Sequence, residues 1–337
     1  MNLPDSSPIL ELMDAFRRSK AMFAAVSLGI FDLLQRIPSD AFTLAAQLHL
    51  QPEPLERLLN TCVGLKLLRW NGVFYENEPI ASSYLCRNSE QSLTGYILYS
   101  NAVLFRMWVH LEDAIREGSP RWKQTFGIEG GIFDHFFRTE DAKQTFLQGM
   151  HGLGTLSSPK VVAAFDLSGF HKIVDLGGAT GHLAIAACER YPDLHAVVFD
   201  LAQVIQTAHS YVTLSSAKKR VTMVAGDFFR DELPDADLFA LGRILHDWPE
   251  EKIRDLLAKI YRRLPSEGGI LLAEKLIYDD KSGPISAHLQ SLNMLVCTEG
   301  KERTLGEYQE LLENVGFQNV RGRITGTYLD AILAIKP

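Results

Sequence analysis

Apolar side chains recur with two different periods along this chain. Residues 9–37 carry them at helical spacing, and two shorter helical segments follow at 43–49 and 54–65. The segment 67–75 alternates instead and contains the turn pair Asn71-Gly72, which predicts a β-hairpin with a two-residue type I′ tip. Three helical segments and a two-stranded wing predict a winged-helix unit at the N-terminal end.

Winged-helix units often bind DNA, and the charges of this one argue against that function. Its candidate recognition helix offers Glu53 and Glu56 against Arg57, with Lys66 at its end. Contacts to phosphates need a basic face. We therefore expect this unit to have a structural or dimerising role.

From residue 171 onward, strand-like segments alternate with helical ones. Strands are predicted at 172–175, 195–200, 221–225, 237–241, 269–276 and 327–335. This alternation is typical of an α/β fold with a doubly wound, Rossmann-like parallel sheet. Residues 91–160 are mostly helical and rich in aromatic side chains, which suits either a pocket wall or plain core packing. We expect three regions: a winged-helix, mainly helical dimerisation domain (1–90), a helical linker and pocket wall (91–160) and a Rossmann-like domain (161–337).

A glycine-rich turn follows the first of these strands. Asp175 precedes Gly177 and Gly178, and the second strand ends on Asp200. Glycines allow a cofactor to approach the backbone closely, and an acid at the second strand's tip can accept both ribose hydroxyls. The order differs from the dinucleotide pattern G-x-G-x-x-G, and Asp175 would repel a pyrophosphate but attract an ammonium group. The turn therefore favours S-adenosylmethionine (SAM) over a dinucleotide.

The third and fourth strands lead to further candidates. Gly226, Asp227 and Phe228 follow the third strand, where the acid can accept the adenine amine and the ring can pack on the base. His246 and Asp247 follow the fourth strand, just before a helix. Asp247 has the position of a helix N-cap, and it can also face a ligand.

His246 is the candidate general base. A histidine can accept the proton of a phenol-like hydroxyl near neutrality. A partner acid should orient its ring through the other nitrogen. Glu274, at the end of a strand, and Glu302 are both candidates for that acid.

Composition limits the class of protein. The 337 residues are 46% hydrophobic and 22% charged, with a net charge of −7. This is a globular composition without a basic field for nucleic acid or anionic lipid. The four cysteines show no C-x-x-C spacing, and no metal site is expected because His, Cys and acids form no tight cluster in the sequence. We expect reduced thiols, no export leader and a cytoplasmic location.

Four longer motifs resemble the acetylserotonin O-methyltransferases and their relatives among the class I SAM-dependent small-molecule O-methyltransferases. They are Ala225–Pro234, Arg243–Pro249, Ser291–Thr304 and Tyr328–Ala334, and the resemblance covers nearly the whole chain. It implies the same fold, SAM as the cofactor with S-adenosylhomocysteine as its product, no metal, and a homodimer formed through the N-terminal domain.

The resemblance also implies roles for individual positions. Asp200 matches the ribose-binding acid, Arg243 a cofactor-contacting arginine, and His246 the catalytic base. The matched adenine-binding residues are Gly226, Asp227 and Phe228, the acids beside the base are Glu274 and Glu302, and the substrate-contacting residues are Asp247 and Asn293. Further candidates for the wall of the substrate pocket are Tyr96, Asn101, Met150, Met294 and Cys297.

Two positions depart from the family pattern. Cys297 stands where the acetylserotonin enzymes carry a glutamine that helps to hold the substrate, and Phe137 stands where a tyrosine is expected near the cofactor. The first departure removes an amide hydrogen bond to the acceptor. It makes another flat hydroxyaromatic or hydroxy-heteroaromatic, such as a phenolic or hydroxypyrrole intermediate of secondary metabolism (antibiotic or pigment biosynthesis), as good a candidate as acetylserotonin.

Other functions remain open at this stage. A SAM-binding scaffold without methyl transfer would share the cofactor residues, although it would not need His246 together with two acids. An NAD-dependent oxidoreductase is disfavoured by the glycine turn, and a DNA-binding regulator by the acidic recognition helix.

Overall fold

The computed structural model describes residues 3–130 and 132–337. The chain forms two compact units, Met1–Val103 and Leu104–Pro337. Among the described residues, none of the helices combines the length and apolarity that crossing a bilayer requires.

The first unit is mainly helical. Its helices are Ser7–Ser27 (α1), Ile30–Leu34 (α2), Ala41–Leu48 (α3), Pro52–Gly64 (α4), Pro79–Tyr84 (α5) and Thr94–Tyr99 (α6), its strands are Leu68–Trp70 (β1) and Tyr75–Asn77 (β2), and a π-helical turn, Ser100–Leu104, follows α6. The periodic segment 9–37 is two helices rather than one, because Gly29 adopts a left-handed φ of 74° between them.

The antiparallel hairpin is present, and its tip differs from the predicted one. Trp70 pairs with Tyr75, and the N–H of Asn71 donates to Phe74 O at 3.2 Å. The central residues of the turn are therefore Gly72, at φ 98°, and Val73. Asn71 Oδ1 also accepts the N–H groups of Val73 and Phe74 at 3.0 and 2.8 Å, which stabilises this turn instead of the Asn71-Gly72 one.

The second unit alternates strands and helices. Its helices are Phe105–Trp108 (α7), Leu111–Glu117 (α8), Trp122–Phe126 (α9), Ile132–Phe136 (α10), Glu140–Ala163 (α11), His182–Arg190 (α12), Ala202–Leu214 (α13), Glu250–Arg263 (α14), Ile285–Cys297 (α15) and Leu305–Glu313 (α16), with a 3₁₀ turn at Leu245–Asp247. Its strands are Lys172–Leu176 (β3), His195–Asp200 (β4), Val221–Ala225 (β5), Leu238–Gly242 (β6), Gly269–Glu274 (β7), Leu276–Ile277 (β8), Arg303–Thr304 (β9), Gln318–Arg323 (β10) and Asp330–Ile335 (β11).

Seven strands form the main sheet in the order β10-β11-β7-β6-β3-β4-β5. The five from β7 to β5 are parallel, as predicted, whereas β11 and β10 run antiparallel. The predicted doubly wound sheet is present, and the predicted final strand, 327–335, forms its antiparallel β11. Strand β10 was missed because its sequence, Gln-Asn-Val-Arg-Gly-Arg, is polar and largely exposed. The predicted strand 269–276 is divided after Glu274, and β8 pairs with β9 instead.

The central strands are buried on both faces. Ile173, Val174, Leu238 and Leu271 each have 0% exposure, which explains their continuous apolar runs. Burying each such side chain contributes roughly 1.5–3 kcal/mol. The carboxyl ends of parallel strands meet at one edge of the sheet, so the residues that follow β3, β4, β5, β6 and β7 come together there.

Candidate functional site

The turn between β3 and α12 has no room for side chains at its first two glycines. Gly177 has a φ of 67°, and a Cβ added there would lie 2.4 Å from Ile244 Cδ1. A Cβ on Gly178 would lie 2.8 Å from the carboxyl carbon of Asp175. Ala179 is itself left-handed at φ 49°, a conformation that costs a non-glycine residue about 1–3 kcal/mol. The turn is thus tightly packed, and a side chain at Gly177 or Gly178 would not fit without displacing its neighbours.

Asp200, at the tip of β4, is bonded to this turn. Its Oδ2 accepts the N–H of Ala179 at 2.9 Å, and its Oδ1 accepts the N–H of Leu201 at 2.7 Å. Burial raises the pKa of Asp200 to about 6, although these two hydrogen bonds lower it. A carboxylate offers about four lone pairs, so two remain for a vicinal diol. This arrangement fits the ribose of SAM.

Asp175 lies beneath the turn. It is 2% exposed, and its Oδ2 accepts the N–H of Ala184 in α12 at 3.3 Å. Burial, followed by the charge of Asp200, raises the pKa of Asp175 to about 7. The observed contact supports the turn and the start of α12, and a contact with a cofactor ammonium stays a prediction.

The predicted adenine-binding residues border the same space. A Cβ on Gly226 would lie 2.3 Å from Phe199 Cζ, so the backbone after β5 packs against that ring. Phe228 is 7% exposed, and its Cε1 lies 3.4 Å from the Cβ position of Gly177. Asp227 Oδ1 accepts the N–H two residues further on at 2.9 Å, which holds the loop in shape. The glycine turn and the ring of Phe228 are therefore neighbours, as an adenosine site requires.

Arg243 follows β6 in a left-handed conformation, at φ 59°. Its N–H donates to Ala273 O at 3.0 Å, and its guanidinium carbon lies 5.3 Å from the ring centre of Tyr328. Tyr328 donates its hydroxyl to Gln290 Oε1 at 2.9 Å. A bulky residue in this conformation is strained, and such strain concentrates at functional sites.

His246 lies on the 3₁₀ turn Leu245–Asp247, which we call the histidine turn, and it is 2% exposed. Its Nδ1 lies 2.6 Å from Glu302 Oε1 and 3.5 Å from Glu274 Oε2. The other oxygen of Glu274 accepts the N–H groups of Ile244 and Leu245 at 3.1 and 2.8 Å. Glu302 thus orients the ring and Glu274 holds the turn. With the Nδ1 proton donated to Glu302, Nε2 is the basic nitrogen.

The acids make this imidazole more basic. Burial lowers the pKa of His246, but the charges of Glu302, Glu274 and Asp247 outweigh it and raise the pKa to about 9. Burial raises the pKa of Asp247 to about 6, although the positive charges of His246 and Arg243 lower it. A proton taken up at the ring is therefore stabilised by at least one buried carboxylate.

His246, Glu274 and Glu302 place three potential metal-ligand atoms within 4.8 Å of one another. The expectation that His, Cys and acids form no tight cluster was therefore wrong for this group. The three residues are far apart in sequence, and the fold brings them together. The 2.6 Å hydrogen bond gives them the geometry of a carboxylate–imidazole pair.

Three predicted substrate residues, Asn293, Met294 and Cys297, lie on α15, and Glu299, just after this helix, donates its N–H to Asp247 O of the histidine turn at 3.2 Å. Trp108 donates its Nε1–H to Asn293 Oδ1 at 2.9 Å, and the Cys297 thiol donates to the same oxygen at 3.8 Å. Burial and the charge of Asp247 raise the pKa of Cys297, which keeps its thiol protonated. Met294 is buried at 4% exposure on the same helix. Sequence reasoning missed Trp108, for which an indole in an aromatic-rich segment was the available signal.

The remaining predicted wall residues lie elsewhere on the chain. Tyr96 and Asn101 belong to the first unit, where Asn101 accepts from Lys20 Nζ at 2.6 Å and donates to Ser27 Oγ at 3.1 Å. Met150 lies on α11, partly buried, and Phe137 stacks on Phe133 with ring centres 5.7 Å apart. Their contacts with cofactor or acceptor stay predictions.

Comparison with known proteins shows the family to which this chain belongs. A family model of the O-methyltransferase domain matches residues 108–318, and one of the O-methyltransferase dimerisation domain matches residues 10–87. The chain is 43% identical to acetylserotonin O-methyltransferase of Bos taurus, covering 98% of this chain and 97% of the relative. The crystal structure of human N-acetylserotonin methyltransferase in complex with SAM has a TM-score of 0.94 and 38% identity, covering 100% of this chain and 99% of that chain.

A second solved structure, PigF with SAH, has a TM-score of 0.88 and 28% identity, covering 99% of this chain and 100% of that chain. The matched families span both units, and the relatives span almost the full length. The chain therefore belongs to the O-methyltransferase family: it is a SAM-dependent O-methyltransferase of small molecules with the family's dimerisation domain at its N-terminal end.

Proposed function

We propose that this enzyme methylates the hydroxyl group of a flat aromatic or heteroaromatic acceptor, with His246 as the general base. The main support is the 2.6 Å contact between His246 Nδ1 and Glu302, next to the strand ends that carry the cofactor residues. An oriented, buried imidazole serves proton removal and is not needed by a SAM-binding scaffold.

The cofactor would be held by residues from four strand ends. Asp200 would accept the ribose hydroxyls, and Gly226, Asp227 and Phe228 would enclose the adenine. The glycine turn with Asp175 and Arg243 would bind the amino-acid tail. When bound, SAM supplies an electrophilic methyl group, which the deprotonated acceptor oxygen takes from the sulfonium.

His246 prepares the acceptor for this step. A phenolic hydroxyl has an ordinary pKa near 10, close to the raised pKa of about 9 for the imidazole, so the proton transfer to Nε2 is nearly balanced. Glu302 and Glu274 stabilise the imidazolium that forms. At 2% exposure, His246 itself is shielded from bulk water.

Asn293 and Asp247 would recognise the acceptor through hydrogen bonds. Trp108 and the Cys297 thiol both donate to Asn293 Oδ1, so the amide would donate toward the acceptor, whereas the Asp247 carboxylate can accept. This pair suits a ring system with a carbonyl or ring acceptor atom and a neighbouring donor. Cys297, at 2% exposure, directs its thiol to Asn293 Oδ1 at 3.8 Å and provides no amide.

Hydroxyindoles of the N-acetylserotonin type form a second candidate acceptor class, favoured by the 43% identity with the bovine enzyme. The cysteine at 297 argues against full activity on that acceptor, because the family position carries an amide. A role in secondary metabolism and a cytoplasmic location stay predictions from the sequence. The dimerisation domain supports a homodimer.

The test is a product assay with purified enzyme, SAM and a panel of phenols, hydroxypyrroles and N-acetylserotonin, followed by mass spectrometry of the methylated product. We expect O-methylation of at least one panel member, and turnover lowered about 100-fold or more in His246→Ala with SAM affinity nearly unchanged. Unaltered turnover in His246→Ala would remove the base from the mechanism. Binding of SAM without any product across the panel would favour the scaffold.

A further inference from the structure

Residues 299–303, which we call the clamp segment, lie against the backbone of the histidine turn. The N–H of Glu299 donates to Asp247 O at 3.2 Å. A Cβ added to Gly300 would lie 2.2 Å from His246 O and 2.7 Å from Trp248 N, so any larger residue there would displace the turn. The segment that supplies Glu302 therefore also touches the backbone of the base.

Arg303 ends this segment and is 1% exposed. Its Nη1 donates to Leu245 O at 3.3 Å, and its Nη2 donates to Trp248 O at 3.3 Å. These two carbonyls flank His246 and Asp247 in the chain. A planar guanidinium can span two acceptors with a fixed separation, which a lysine ammonium cannot do.

The backbone N–H groups of the turn are also hydrogen-bonded. Glu274 accepts the N–H of Leu245 at 2.8 Å, while Arg303 binds the carbonyl of the same residue. A buried carboxylate and a buried guanidinium thus hold opposite ends of one peptide segment. Releasing one of these hydrogen bonds leaves the turn held from one side only, so it can shift relative to Glu302.

We propose that Arg303 is a positioning residue for His246: its guanidinium, bridging Leu245 O and Trp248 O, keeps the imidazole in register with Glu302 and Nε2 directed toward the acceptor. This inference rests on the proposed role of His246 as the base. It assigns to Arg303 no contact with the acceptor or the cofactor.

Several charged and titratable groups surround the imidazole, and a test of Arg303 must leave their charges unchanged. Glu302 faces it from the clamp segment, Glu274 from the end of β7, and Asp247 from its own turn. Tyr308 of α16 and Arg243 interact with these acids. Arg303→Lys keeps the charge of the clamp segment and removes the two-pronged geometry, so it separates position from net charge.

The experiment compares the full-length Arg303→Lys enzyme with wild type. We expect kcat about 10-fold lower with the KM for SAM within twofold, as for other residues that orient a catalytic side chain. Loosening the contact with Glu302 should also move the pH midpoint of kcat/KM to lower pH, because the charge of that carboxylate is the largest of the three that raise the pKa of the ring. Proton NMR should show the strongly deshielded Nδ1–H of His246 broadened or shifted upfield.

A control exists in Arg220, whose Nη1 donates to two backbone carbonyls, Tyr191 O at 3.0 Å and Leu194 O at 3.2 Å. It lies just before β5, at the amino ends of the parallel strands, whereas the histidine turn follows the carboxyl end of β6. Arg220→Lys should leave the pH midpoint and the Nδ1–H signal unchanged. An equal change in both variants, or none in Arg303→Lys, would overturn the proposal.

A second variant covers the case in which Arg303→Lys does not fold. The methyl group in Gly300→Ala would push on the histidine turn from the clamp segment. This variant should show the same lower kcat and the same shift of the kcat/KM midpoint to lower pH. Wild-type values in Gly300→Ala would overturn the proposal. Failure of the proposed function is distinguishable, since it would show as normal turnover in His246→Ala. An inactive His246→Ala with a wild-type Arg303→Lys would reject the positioning role alone.

Discussion

Nδ1 of His246 lies 2.6 Å from Oε1 of Glu302, although 56 residues separate the two in the chain. Both side chains are buried, and Glu274 lies 3.5 Å from the same nitrogen. The ring is therefore held between acids that favour its protonated form. An imidazole with a raised pKa binds a proton strongly. It can act as a base only in the fraction of molecules in which the ring is neutral.

The first prediction concerns pH. A general base works in its neutral form, so kcat/KM should rise as the pH rises through the pKa of His246. Because that pKa is raised from 6.5 to about 9, the rising limb should lie well above neutrality. Glu302→Gln removes one of the charges that raise it, and its midpoint should fall to lower pH, with kcat lowered about 10-fold. Rate profiles of both enzymes between pH 6 and 10 measure this; a wild-type midpoint at or below 6.5 would contradict it.

The second prediction concerns the cofactor. Asp200→Ala removes both the predicted ribose acceptor and the bond to Ala179 N, which is 2.9 Å long. SAM affinity should fall by about 10-fold or more, since hydrogen bonds to a charged group contribute roughly 1.5–3 kcal/mol each. Isothermal titration with SAM measures the loss. Asp255→Ala, at an exposed site on α14, is the control and should bind SAM as wild type does.

Local patterns were enough to predict part of this site from the sequence. The glycine turn, Asp200 and the run Gly226–Phe228 are adjacent to strand ends, so periodicity alone placed them at one edge of the sheet. The separate roles of Glu274 and Glu302 depend on which oxygen points to a backbone N–H and which to the ring. No sequence pattern carries that information.

Hydrogen bonds between residues far apart in the chain, and a polar strand at the edge of the sheet, could not be predicted from the sequence either. Trp108 and Asn293 are 185 residues apart, and their hydrogen bond depends on how α7 and α15 pack. Strand β10 has no apolar alternation, because it lies at the edge of the sheet with most of its side chains exposed. The break at Gly29 needed a backbone angle that a helical apolar pattern does not reveal.

The third prediction follows from the bond between Trp108 and Asn293. Trp108→Phe keeps an aromatic ring and removes the donor, so the amide of Asn293 is free to rotate. The KM for the acceptor should rise about 2- to 10-fold, the equivalent of one neutral hydrogen bond, while SAM affinity stays unchanged. Steady-state kinetics with the best panel acceptor measure this. Trp70→Phe in the first unit is the control, and an equal rise of KM in both variants would reject the role of the indole.

The fourth prediction concerns stability and the buried pair Lys275–Asp330, which joins the end of β7 to β11. Its Nζ–Oδ2 distance is 2.9 Å, Asp330 is 0% exposed, and the same carboxylate accepts the N–H groups of Leu276 and Thr325. Lys275→Met leaves that carboxylate buried without its cation, so the free energy of unfolding should fall by about 3–5 kcal/mol. Lys123→Met, which breaks an ion pair with Glu129 that is more than two-thirds exposed on both sides, should cost less than about 1 kcal/mol. Urea unfolding followed by circular dichroism compares the two variants. Equal losses would mean that the buried pair contributes no more to stability than a surface pair.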